Sequence, residues 1–250
     1  MASLRKFFLL VLVAGCLYIL AGAPYIPDSL LTETVGNRFV LLAFAVCGMA
    51  LSATSAWRWL RFPVVLIHEL GHAAAAVLLG GRAQRIVLVK DGSGHAVYQL
   101  PEQFRILRRV PASLAGYWAP SVVACVAAIA ATGGQARVLA WISALAAGGM
   151  LVLLVRSRWG AIVAGSVLLA SAGAARLLPG VVLTVLVACC AGILSAGAVR
   201  SAYVQISADD IERSDAASIA AELHVPARAV AWVQLFGCSL AVVAVVFAVV

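Results

Sequence analysis

The chain has 250 residues, 64% of them hydrophobic and 11% charged, and a formal net charge of +8. So few charges exclude an ordinary soluble domain and a disordered chain, and point to a polytopic membrane protein. The positive excess is no sign of nucleic-acid binding, because basic residues belong in the short loops between spans, where they set orientation.

Apolar runs near 20 residues are read as spans. The first covers 7–23, after Arg5 and Lys6; a retained span is expected there, a cleaved signal peptide being the alternative. The second covers 39–56. Trp57 to Phe62 is expected to turn, and a third helix follows from Pro63 to Gly80, with proline in its first turn and Gly80-Gly81 as its stop. Residues 82–101 change character. Ile86-Val87-Leu88-Val89, an Asp91-Gly92 turn and Ala96-Val97-Tyr98 predict a β-hairpin. Arg105, Arg108 and Arg109 are expected at the membrane surface.

Further spans are expected over 112–132, 138–155, 161–175, 181–199 and 231–250. Residues 200–230 form the one sizeable polar segment, with a helix start at Ser214-Asp215. The expected architecture is thus an all-α polytopic membrane protein. It is a single integral membrane domain over 1–250, with about eight transmembrane helices and a small β-hairpin after the third. Lys and Arg favour the loops after the first, third, fifth and seventh spans, which predicts the hairpin and the 200–230 segment on the cytoplasmic side; Arg5 and Lys6 oppose that orientation. The cysteines at 16, 47, 125, 189, 190 and 238 lie in apolar runs without a CxxC and read as small core residues.

One stretch carries chemistry. His68-Glu69-Leu70-Gly71-His72 is an HExxH pattern within the third helix. Positions i and i+4 share a helical face, so both imidazoles can grip one metal ion, with Glu69 beside them to polarise a water. An unpartnered acid inside a bilayer costs about 2.5 kcal/mol or more, which a metal would offset. Packing alone is the competing explanation.

These residues resemble the site-2 protease family of intramembrane zinc metallopeptidases, and most closely its bacterial peptidase-like membrane branch. The likeness rests on His68 to Ala73, Gly80-Gly81, Asp91-Gly92-Ser93-Gly94, and Ala115-Gly116-Tyr117 with Pro120. Arg156 to Gly160, Ser214-Asp215-Ala216 and Val225-Pro226 extend it over roughly 60–230. The resemblance implies Zn2+ held by His68 and His72, and Glu69 as the general base that activates zinc-bound water. It implies a membrane-embedded protein substrate, held extended along the hairpin edge, and a multi-pass location in a bacterial plasma membrane. It does not identify the substrate or an oligomeric state.

One departure matters. Well-studied members of that family take a third metal ligand from a Leu-Asp-Gly aspartate on a later span, and this chain has no such sequence. Asp215 is the best candidate, because it sits in the Ser-Asp-Ala element on the hairpin's predicted side. Capping and helix-dipole chemistry is the stronger explanation of an aspartate there. Asp210 is a weaker candidate, and Asp91 is expected to serve its turn. His95 and Tyr117 are candidate substrate contacts, with an exposed loop histidine and an interfacial tyrosine as the plainer explanations. His224 suits a helix end, and Arg156 and Arg158 suit orientation anchors. A DNA-reading helix-turn-helix over 216–232 is disfavoured by its few basic residues and its tether to a span. Without a third ligand, the alternative function is a non-catalytic zinc-binding membrane scaffold.

Overall fold

Eight helices and one hairpin make up the described residues of the computed structural model, 35–207 and 211–250. In chain order they are α1 Arg38–Leu51, α2 Trp57–Leu78, β1 Arg82–Leu88, β2 Gly94–Gln99, α3 Arg105–Thr132, α4 Ala136–Leu153, α5 Arg158–Leu177 and α6 Gly180–Ser207. A short 3-10 turn, Ile211–Arg213, then leads to α7 Asp215–Leu223 and α8 Ala227–Val249. The expected first span and Asp210 lie outside the described residues.

Six of these helices, α2 to α6 and α8, are long and apolar enough to cross a membrane. Among the described residues, that corrects the expectation at one place. The run expected to span over 39–56 yields only the 14-residue α1, which ends where Ser52 begins a series of turns. Two helix starts also move. The motif helix begins at Trp57, so Pro63 lies inside it rather than in its first turn. The basic stretch from Arg105 is the first part of α3, which continues through Pro111 and Pro120. In each case a continuous apolar face packed against neighbours outweighs the local cost of proline.

Small residues govern helix contact, as expected where lipid offers no hydrophobic contrast and packing must hold helices together. Gly48 of α1 faces the backbone of Cys189, and Gly192 of α6 faces the backbone of Ala45, so the two helices touch main chain to main chain. A core rich in alanine joins them to α3, α4 and α8 through Ala45, Ala124, Ala128, Ala140, Ala188 and Val245. Among the described residues all five cysteines, at 47, 125, 189, 190 and 238, are free thiols.

A second core binds the hairpin to α2. Ile86 and Leu88 of β1 bury against Phe62 and Leu66, with Met150, Val155 and Val163 closing the far side. The hairpin is antiparallel, with Ile86 opposite Ala96 and Leu88 opposite Gly94. Its turn follows the expected chemistry. Gly92 has φ 83°, and Asp91 accepts from the Ser93 backbone N–H at 2.8 Å and its hydroxyl at 2.7 Å, which holds the Asp91 carboxyl below its usual range. The residues between α4 and α5 pair with β1: Ile86 N–H donates to Leu154 at 2.9 Å and the Arg156 N–H donates to Ile86 at 3.0 Å. Ile86 therefore turns its backbone groups away from β2. Its partner Ala96 must likewise turn its own away from β1, and among the described residues no strand pairs with that outer edge of β2.

A third core, Ile211, Ala216, Ile219, Ala220, Val230 and Ala231, seats α7 on α8, with Val110 and Leu114 of α3 packed against it. This short polar-segment helix thereby reaches the motif.

Candidate active site

Three side chains converge. His68 and His72 stand one turn apart on α2, and Asp215 is the first residue of α7. The Nε2 atoms of the two histidines are 3.1 Å apart, and Asp215 Oδ2 lies 3.2 Å from His68 Nε2 and 3.1 Å from His72 Nε2. Asp215 is free for this because the capping duty falls on Ser214, whose hydroxyl accepts from the Ala217 N–H at 3.3 Å. Burial alone would raise the Asp215 carboxyl; the hydrogen bonds to His68 and His72 reverse that and hold it well below the usual carboxylate range.

The three atoms fit a metal better than they fit one another. The Nδ1 of His72 lies 2.8 Å from the Ala112 carbonyl oxygen, which can only accept. A neutral His72 therefore carries its proton on Nδ1 and presents a lone pair at Nε2. That lone pair faces a carboxylate oxygen, an arrangement a cation satisfies. A tetrahedral zinc with arms of about 2.0–2.1 Å holds its ligand atoms about 3.3 Å apart, close to the three separations observed. Two imidazoles and a carboxylate are also a donor set suited to zinc.

Glu69 is 4% exposed and lies on the same helix between the two histidines. A β-carbon on Gly94 would come within 2.9 Å of Val65 Cγ1, 3.0 Å of Glu69 Oε1 and 3.1 Å of its Cγ, so glycine lets the hairpin lie this close without shifting the acid. The Ala96 backbone N–H, on the unpaired edge of β2, reaches the Glu69 carboxylate. The acid is thus held between the motif and the strand edge.

Further residues shape the walls. A β-carbon on Gly116 of α3 would overlap His72 Nε2 and crowd His68. Gly71, inside the pentapeptide, likewise lets α2 meet the Ala115 backbone. The Tyr117 ring meets His68 edge-on at 4.7 Å, and Tyr98 stacks on His72 at 6.2 Å. Burial raises the Tyr98 hydroxyl. His95 is exposed and pairs with Val87, on the hairpin face opposite Gly94 and Ala96. Asp91 stays in its turn, and His224 ends α7 in a left-handed conformation.

Of the residues singled out in the sequence, His68, Glu69, His72, Tyr117 and Asp215 come together and His95 does not. Ala112 and Tyr98 were not singled out. A signal for the first was present, because Arg105, Arg109, Ala112 and Gly116 share one helical stripe of α3.

A family model described as Peptidase M50B-like matches residues 39–249. No curated protein and no solved structure matches the chain.

Proposed function

The chain belongs to the Peptidase M50B-like family, the site-2 protease family, and from that premise we propose that it is an intramembrane zinc metalloprotease. It hydrolyses a peptide bond within or beside the bilayer. The observation that carries this reading is the convergence of His68 Nε2, His72 Nε2 and Asp215 Oδ2 at 3.1–3.2 Å beside a buried Glu69.

In this reading His68, His72 and Asp215 hold the metal. A zinc ion held there would supply Lewis acidity toward a carbonyl oxygen and toward water. Glu69 takes a proton from the attacking water and delivers it to the departing amine, so that one carboxylate serves both directions of transfer. The Ala112 carbonyl fixes the His72 tautomer, the usual means by which an outer partner orients a metal-binding imidazole. Tyr117 braces His68 and lines the approach to it.

The proposed substrate is a membrane-embedded protein. A transmembrane helix hides its backbone groups and must unwind before a peptide bond can react. The unpaired edge of β2 offers the exposed segment replacement hydrogen bonds. This edge runs past Gly94 and Ala96, beside Glu69, so a strand laid along it passes the base. The scaffold alternative is motivated by the missing Leu-Asp-Gly aspartate and the lack of a substrate-selecting domain; the position of Asp215 beside both histidines favours the protease reading over it.

The test is zinc content and cleavage of a transmembrane reporter by purified protein, wild type against Glu69→Gln. One zinc in both proteins, with cleavage lost only in the variant, supports the reading. Full cleavage by Glu69→Gln overturns the assigned base, and a wild type without zinc overturns the metal centre.

A further inference from the structure

Arg105, Arg109, Ala112 and Gly116 are spaced four, three and four residues apart, so they line one face of α3. The far end of this face touches the motif: the Ala112 carbonyl meets His72, and Gly116 makes room for both imidazoles. The near end touches α7. Arg105 Nε donates to Glu222 Oε1 at 2.9 Å, and Arg109 Nη1 donates to the same oxygen at 3.1 Å. The Glu222 side chain is only 9% exposed, although both guanidinium groups are more open.

Glu222 and Asp215 are seven residues apart, about two turns, and so share a face of α7. That face looks toward α3 and the histidines. A nine-residue helix is too short to persist by itself, so its docking decides where Asp215 stands. The backbone at the junction turns sharply at both helix ends. Phe104, just before Arg105, and His224, just after Leu223, are the two non-glycine residues with positive φ among the described residues, each at 56°. Both border the same cavity, with Arg105, Leu107, Ala221 and Glu222. The left-handed turn at His224 is an ordinary helix C-cap, and the one at Phe104 opens α3, so both helices end beside the Arg105–Arg109–Glu222 cluster.

We propose that Glu222 is a positioning residue of the metal centre: its ion pairs with Arg105 and Arg109 lock α7 to α3 and so bring Asp215 to His68 and His72. The inference rests on the zinc reading above. Exposed ion pairs add little to global stability. Here the effect falls on register, because the pair fixes a short helix that carries one ligand of three.

The test uses the full chain in detergent and reads zinc affinity by chelator competition, with the Co2+ visible spectrum as a measure of ligand geometry. Variants are Glu222→Gln, Glu222→Arg and the charge-exchanged R105E/R109Q/E222R, with Asp215→Ala as the reference for a lost ligand. Glu222→Arg is expected to bind zinc about tenfold more weakly or worse, the loss typical of a displaced outer partner. Its Co2+ spectrum should shift toward that of Asp215→Ala. Glu222→Gln should be intermediate. The charge-exchanged protein should recover most of the affinity, because opposite charges again face each other between α3 and α7. Wild-type zinc affinity in Glu222→Arg overturns the inference. So does failure of the charge exchange to restore affinity in a protein whose helix content is unchanged. A wild type that binds no zinc instead overturns the metalloprotease reading itself, so the two failures are distinct.

Discussion

Gly116 of α3 faces the Nε2 atom of His72 so closely that a single β-carbon would overlap it. Helix propensity favours alanine over glycine by about 1 kcal/mol in a helix interior. Gly116→Ala should therefore leave the fold intact, or raise its melting temperature, while pushing His72 and His68 out of line. The expected result is loss of most bound zinc with helical circular dichroism unchanged. Wild-type zinc content in Gly116→Ala would show that the imidazoles can move aside without cost.

Glu69 and the ligands should separate cleanly. Removing a general base typically costs about 10²–10⁴-fold in rate. Glu69→Gln should show a loss of this size with one zinc retained, whereas His72→Ala should lose both zinc and activity. Metal analysis beside reporter cleavage distinguishes them. Equal zinc loss in the two variants would mean that Glu69 is a ligand.

Gly94 should act on rate more than on zinc content, since a β-carbon there meets Val65 and Glu69 but neither histidine. A β-carbon there meets the Glu69 carboxylate at 3.0 Å, within ordinary flexibility of a side chain but not without displacing it. Misplacing a catalytic group by about 1 Å can cost on the order of 10²-fold. Gly94→Val should keep its zinc and lose cleavage. An unchanged rate would place the reacting carboxylate elsewhere.

The Glu222 contact should have its own pH dependence. The hydrogen bond from Arg105 leads the effects that hold this carboxyl below its ordinary value, aided by Arg109 and opposed by burial. A depressed acid contributes stability above its unfolded value, about 4.3, and loses that contribution as pH falls through its folded value. Arg105, Arg109, Glu102 and His224 are the charged or titratable neighbours at this junction. In zinc-free protein, amide-exchange protection of residues 215–223 should therefore hold from neutral pH to about 5 and fall below about 4. Glu222→Gln should flatten the step. The same profile in both proteins would assign the acid step to another group, Asp215 first.

The α1–α6 contact tests packing. Gly192 lies against the Ala45 backbone, which a rotamer change cannot move. Gly192→Leu should destabilise by about 1–3 kcal/mol through overpacking, seen as a lower denaturant midpoint. An unchanged midpoint would mean that α1 docks loosely.

Much of the fold was legible because bilayer chemistry writes it into local composition. Apolar runs marked the long helices, and β-branched residues around Asp91-Gly92 marked the hairpin. Boundaries were less legible. Pro63 read as a helix start and the next span was expected only from 112, yet Pro63 and Pro111 both lie inside helices, because packing of the whole apolar face overrides a local breaker. The run over 39–56 ends at Leu51, where Ser52, Thr54 and Ser55 form turns, a polar cluster that its mean hydropathy outweighed.

The site divides the same way. Local pattern was enough to place two imidazoles and an acid on one turn of helix, since i, i+1 and i+4 need only helical geometry. What meets them is a matter of tertiary packing. Asp215 lies 143 residues beyond His72 on a short polar helix, and Ser-Asp at a helix start reads locally as a cap. Its approach to the histidines depends on α7 docking against α3 and α8, through Ala216, Ile219 and the Glu222 ion pairs. Contacts between elements so far apart in the chain are set by packing and charge across the bundle, which no local pattern encodes.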